Sequence, residues 1–155
     1  DLHSFPTRLS SDLVPLAQQL IGPRKVVGIL AAEKKYLTDA HLQAVAAESW
    51  PFRLHLRGAG TFRPMNAVVF LQIAEGIPGC ERLEKSIRRG PLLRRRRYPY
   101  HPHVTLVHNL ADEVLDRAFA EYADFDAVFV ADRFTLYQQD DHGSWHGIRD
   151  YRLTG

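Results

Sequence analysis

The chain has 155 residues, of which 45% are hydrophobic and 25% charged, with a formal net charge of +2. That length supports one domain with a real core, or two small lobes sharing one, and the near-neutral balance creates no general demand for a polyanionic partner. The one cysteine, Cys80, excludes an internal disulfide and a thiolate metal cluster; with no signal-peptide pattern and no long apolar run, a cytoplasmic protein is expected.

From the N-terminus, Asp1–Leu13 (DLHSFPTRLSSDL) shows neither helical nor strand periodicity and reads as a disordered leader. The sole methionine is Met65, so a fragment, a processed product or a mistranslated frame is expected. Val14–Ile21 is apolar at helical spacing and stops at Gly22-Pro23. Lys25–Ala32 reads as a buried strand, and Thr38-Asp39 is placed to cap a helix running to about Glu48, ahead of Pro51. Phe52–Gly58 alternates Phe52, Leu54 and Leu56 with Arg53, His55 and Arg57, the pattern of a half-buried antiparallel strand. Gly58-Ala59-Gly60 is read as the turn, and Asn66–Ala74 as a second, more buried strand.

Gly79–Arg89 is amphipathic, with Leu83 and Ile87 inward, and closes at Gly90-Pro91. Arg88, Arg89, Arg94, Arg95, Arg96 and Arg97 cluster before the next strand, either as a solvated loop or as a positive rim for phosphate or RNA. Ala111–Tyr122 is a helix with Val114, Leu115, Ala118 and Phe119 as its stripe and acids near its start. Ala127–Tyr137 and Gly147–Leu153 read as two strands joined by Gln138–Ser144. Helices alternating with hairpin-like pairs argue for an α+β fold.

Chemistry concentrates in Tyr98–His108 (YPYHPHVTLVH). Alternate side chains of a strand share a face, so His103 and Thr105 project together. An imidazole can transfer a proton while the neighbouring hydroxyl holds a phosphate oxygen. His101 precedes a proline and reads as structural; His108 points away from His101 and His103, and without ligand spacing no metal site is expected. Arg97 is a candidate phosphate contact. Tyr98 and Tyr100 are core or rim aromatics able to stack a base, and His55 lies on a polar strand face that can border a groove.

Pro51–Phe62 (PFRLHLRGAGTF), Val68–Ile73, Tyr98–Thr105 and the C-terminal hairpin with Leu136 and Trp145 resemble the 2H phosphoesterase superfamily, in its 2′-5′ RNA ligase and cyclic phosphodiesterase group. The resemblance implies two lobes of antiparallel sheet with outer helices, and two His-x-Thr triplets facing across a groove. It implies cleavage of cyclic phosphates or 2′-5′ linkages at RNA ends without metal or cofactor, one imidazole serving as base and the other as acid. His103 and Thr105 would form one catalytic half, with Arg97, Tyr98, Tyr100 and His55 binding substrate. The implied partners are RNA ends or nucleotide cyclic phosphates, with neither membrane nor DNA, and a monomer is expected.

The first triplet of that pattern should fall near Pro23–Ala32, where Lys25 takes the histidine place and Val27 the threonine place. A lysine with a pKa near 10.4 pairs with phosphate but is a poor base at neutral pH. Losing one acid–base partner costs about 10²–10⁴-fold in rate. Val14–Val45 also resembles a segment of the aspartate/glutamate/hydantoin racemase group without its paired cysteines, and Asp1–Leu13 resembles a translated sequencing-adapter peptide. The expectation is therefore a single domain over residues 14–155 whose first lobe, about 14–48, is incomplete and either divergent or chimeric; no racemase activity is expected. Its function is an impaired phosphoesterase; the alternatives are an inactive phosphate- or RNA-binding remnant and a chimeric reading frame without function.

Overall fold

In the computed structural model, which describes residues 27–30, 35–93, 99–142 and 145–155, strands form two sheets with helices packed on them. The elements are β1 (Val27–Leu30), α1 (Lys35–Ala47), β2 (Phe52–Thr61), β3 (Val68–Glu75), α2 (Ile77–Ile87), a 3₁₀ turn (Gly90–Leu92), β4 (His103–His108), α3 (Asp112–Glu121), β5 (Asp126–Ala131), β6 (Arg133–Gln139) and β7 (Trp145–Arg152). One sheet has four antiparallel strands in the order β4-β3-β2-β5; the other has three, in the order β1-β6-β7. This is the α+β arrangement expected, with one departure. β1 runs parallel to β6, pairing Val27 with Phe134 and Leu30 with Tyr137, so the smaller sheet is mixed rather than antiparallel.

Burial explains the layers. On the four-stranded sheet, Leu56, Ala59, Val69, Leu71, Leu106 and Val107 pack with Leu115, Ala118 and Tyr122, so α3 and the residue after it cover one face. On the three-stranded sheet, Phe134 and Tyr151 stack at 5.1 Å under Leu42, Val45 and Ala46 of α1 and Leu83 and Ile87 of α2. Leu54, Cys80 and Ala131 form a third cluster, with Phe52, Ile73, Tyr100 and Phe129 against it. The period-two burial of β2 and the spacing of Leu83 and Ile87 on α2 are those the sequence announces.

Four local expectations are corrected. Gly58-Ala59-Gly60 is not a turn but part of β2. Gly58 has φ 69° at a register shift between Leu56 and Ala59, so the glycine serves a bulge, and the chain reverses over 62–67 instead. Thr38 and Asp39 lie inside α1, not at its cap. Asp39 reaches across to β7, accepting from Tyr151 Oη at 2.6 Å and Arg149 Nη1 at 2.8 Å, while Gln43 Nε2 donates to it at 2.7 Å. The single strand read over Ala127–Tyr137 breaks at Asp132, where the chain passes from one sheet to the other. Phe119, placed on the apolar stripe of α3, is 38% exposed, because Leu115 and Ala118 define the buried line. The leader, the helix over 14–21, Lys25 and the segment 94–98 lie outside the described residues.

Candidate active site

Among the described strands β4 lies at the sheet's edge, and its register sets the site. His103 pairs with Gln72 and Thr105 with Phe70, while Phe70 also pairs with Gly60. Directly paired residues project to the same face. His103, Thr105, Phe70 and Gln72 therefore stand on the face opposite α3, and Val104, Leu106 and Leu71 point into the core. The extended segment before β4 continues the alternation. His101 joins the open face, while Tyr100 is half-buried against the cluster of Leu54, Cys80 and Ala131.

Two phenylalanines mount the histidines. Gly60 has no Cβ, and one placed there would stand 2.6 Å and 2.7 Å from the Phe70 ring. That vacancy lets Phe70 lie across β2. Phe62 is held in the following turn by its N–H to the Val68 carbonyl at 3.2 Å, next to the Thr61 hydroxyl that donates to the same carbonyl at 2.8 Å. The Phe62 and Phe70 rings are 4.4 Å apart. Each meets the His103 ring in an edge contact, at 5.0 Å and 5.2 Å. Gln72 is fixed by its side-chain N–H to the Ala59 carbonyl at 2.7 Å.

The His103 ring makes one decisive hydrogen bond. Nδ1 lies 2.7 Å from the His101 carbonyl oxygen. A carbonyl can only accept, so Nδ1 carries the hydrogen, and Nε2 holds the lone pair of the neutral ring. The ring's edge reaches solvent, but its surroundings push its pKa below the ordinary histidine value. Desolvation by its packed neighbours is the main cause; the bond to the His101 carbonyl raises the pKa, and the nearby His101 charge lowers it. The result favours a neutral imidazole whose free nitrogen is ready to accept a proton. Thr105, half-buried, follows two residues along the same face.

Of the candidate substrate contacts, Arg97 and Tyr98 lie outside the described residues. His55 shares the open face but sits on β2, paired with Glu75 and Val128. Its Nε2 donates to the Asp126 carboxylate at 3.1 Å, and its Nδ1 is 3.7 Å from Glu75. Two strand spacings across and three residues along the strand put His55 on the order of 14 Å from His103. The two imidazoles therefore do not meet at one phosphorus atom. Among the described residues, no group of three or more His, Cys, Asp or Glu is arranged to hold a metal ion. No described helix is long and apolar enough to cross a membrane.

Residues 27–143 match the model of the 2′-5′ RNA ligase superfamily. The chain belongs to that superfamily. Relatives include candidate phosphoesterases of Bacillus cereus strain AH820 and Bacillus anthracis strain CDC 684, each 31% identical over 116 residues, 72% of this chain and 66% of theirs. The chain thus spans about two thirds of the length of these superfamily relatives. Solved structures with the same fold include a Thermus thermophilus protein at 23% identity and TM-score 0.51, covering 81% of this chain and 73% of that one. LigT of Escherichia coli complexed with 3′-AMP matches at 20% identity and TM-score 0.54, covering 80% of this chain and 73% of its own.

The structure also draws to the site residues to which the sequence reading gave no site role. Phe62, Phe70, Gly60 and Gln72 surround His103, and the ring of His101, assigned a structural role, stands beside it. Phe70 left a signal: Val68–Glu75 (VVFLQIAE) is apolar on both faces up to Leu71, so something on the open face had to be covered.

Proposed function

We propose that the chain is a phosphoesterase for cyclic phosphates or 2′-5′ linked RNA ends, in which His103 accepts the proton of the attacking water through Nε2 and Thr105 holds a nonbridging phosphate oxygen. The observation that carries this reading is the Nδ1 bond to the His101 carbonyl, which leaves Nε2 as the basic nitrogen on an open face. A neutral imidazole is the form a general base needs, and the lowered pKa of His103 supplies it at neutral pH. The Thr105 hydroxyl offers a fixed donor for charge that develops on the phosphoryl oxygens. The relatives named as candidate phosphoesterases support the same chemistry.

A second reading, a phosphate- or RNA-binding chain with little turnover, is favoured by one feature. β1 reads Val-Gly-Ile-Leu and brings neither a histidine nor a hydroxyl to the smaller sheet. Hydrolysis of a nucleoside 2′,3′-cyclic phosphate by the whole chain, compared with His103→Ala, separates the two. A loss of about 10²–10⁴-fold in rate supports the catalytic reading. Turnover unaffected by the substitution removes His103 from the site, and binding without turnover in either protein supports the second reading.

A further inference from the structure

The family pattern calls for two imidazoles, and the described part of β1 supplies none. The structure nevertheless sets two together. The ring centroids of His101 and His103 are 5.9 Å apart, with their planes inclined at 51°. Both residues are exposed on the open face. Both rings receive the same two phenylalanines: Phe62 meets His101 at 5.3 Å and His103 at 5.0 Å, and Phe70 meets them at 5.5 Å and 5.2 Å. The His101 carbonyl, moreover, orients the His103 ring. A histidine with only a backbone role would gain nothing from this shared mount, since its carbonyl would serve equally well with any side chain.

Resting on the phosphoesterase reading above, we propose that His101 is the second imidazole of this site, a catalytic residue that contacts the same phosphoryl group as His103 and protonates the leaving oxygen. The span fits. Attacking and leaving oxygens in line across phosphorus stand about 4 Å apart, so two hydrogen bonds of about 2.8 Å reaching them join nitrogens separated by up to about 9 Å. Nitrogens on rings whose centres are 5.9 Å apart fall within that reach. In hydrolysis of a 2′,3′-cyclic phosphate, the water oxygen forms the new P–O bond as its proton passes to His103 Nε2. The bond from phosphorus to one ribose oxygen breaks, and that oxygen takes the proton carried by His101. The product is a phosphate monoester with a free ribose hydroxyl, and the proton on His103 returns to His101 through solvent to close the cycle.

Among the described residues, the neighbours leave the exchange to the pair itself. Phe62, in the turn after β2, and Phe70, on β3, do not titrate, and Gln72 opposite His103 is neutral. Arg63, beside Phe62, commits its guanidinium to Asp112 at 3.4 Å and Asp116 at 2.7 Å.

The test follows the histidine Cε1–H resonances of the full chain by NMR during titration with inorganic phosphate near pH 6, assigned through single His→Gln variants. His101 and His103 are expected to shift along one shared saturation curve, and His101→Gln to weaken phosphate binding by about tenfold. In cyclic-phosphate hydrolysis the wild type is expected to give a bell-shaped pH profile, and His101→Gln to lose its alkaline limb while keeping the acid limb set by His103. Phosphate that moves His103 alone overturns the proposal, as does a His101→Gln protein with wild-type phosphate affinity and both limbs. A silent His101 beside a responsive His103 and measurable turnover defeats this inference and leaves the phosphoesterase reading standing. Absence of turnover defeats that reading, and the shared phosphate curve then still decides whether the two rings hold one phosphoryl group.

Discussion

Gly60→Ala tests whether the aromatic mount sets the chemistry of His103. The added methyl would stand 2.6 Å from Phe70 Cε2, 2.7 Å from Cζ and 3.0 Å from Gln72 Cγ, so the ring must move. Gly60 is not among the glycines with positive φ, so alanine meets no backbone strain and the effect comes from the displaced ring. Overpacking of this kind costs about 1–3 kcal/mol, and in a domain of this size each kcal/mol lowers Tm by roughly 2–4 °C. Moving Phe70 uncovers one side of His103 and weakens the desolvation that holds its pKa down. The His103 titration should therefore rise toward the ordinary histidine value of about 6.5, and the acid limb of the pH–rate profile should move up with it. The assay is NMR titration of His103 alongside thermal unfolding, for Gly60→Ala, Phe70→Leu and the double variant. Since the smaller leucine relieves the clash, the double variant should be more stable than the sum of the singles by about 0.5–3 kcal/mol. Strict additivity, or a His103 titration that stays put in Gly60→Ala, would refute the reasoning.

His103 itself should make stability depend on pH. Its folded pKa is depressed, so its contribution is complete above about pH 6.5 and is lost as pH falls through the folded value; denaturant midpoints from pH 8 to pH 5 should decline, with a smaller slope in His103→Gln. Tyr122→Phe should stabilise the protein by about 1 kcal/mol, read from urea unfolding, because its buried hydroxyl has no hydrogen-bond partner among the described residues. Asp39→Asn should lower Tm. The Asp39 carboxyl is held below the usual carboxylate range, first by the Tyr151 hydroxyl and then by Gln43 and Arg149, against the opposing effect of desolvation. Its contribution is present above about pH 3.9 and lost as pH falls, so the variant should lack that acid-dependent loss.

The parts of the molecule legible in the sequence are those where one periodicity dominates. Phe52, Leu54 and Leu56 alternate with charged residues, and β2 is there; Leu83 and Ile87 keep helical spacing, and α2 buries both. His103 and Thr105 share a face because strand geometry requires it. The misreadings arise where local chemistry serves a distant partner. Gly58 and Gly60 look like a turn, but one takes up a bulge and the other makes room for a ring on the next strand. Thr38 and Asp39 have the residue types of a cap, yet Asp39 bonds to Tyr151 and Arg149, more than a hundred residues away. The break at Asp132 falls within a continuous β-prone run. It is fixed by pairing: Ala131 answers Phe52 on one sheet, and Arg133 answers Arg152 on the other.

The electrostatics of the open face also decide what kind of substrate suits it. At the β4 end stand two imidazoles and a hydroxyl, groups that favour a phosphoryl oxygen. Toward β5 the face carries both signs of charge, with Arg53, His55 and Arg57 among Glu75 and Asp126. His55 is engaged by Asp126 and Glu75, and Arg53 lies 3.7 Å from Glu75. A ribose hydroxyl or a base edge could hydrogen-bond to a carboxylate there. On the phosphoesterase reading, this arrangement would place the phosphate of a nucleotide under His103 with its sugar and base toward His55. If that reading holds, the two imidazoles and the Thr105 hydroxyl at the β4 end offer one phosphoryl group its contacts, and the carboxylates of Glu75 and Asp126 offer acceptors to the hydroxyls of the attached nucleoside.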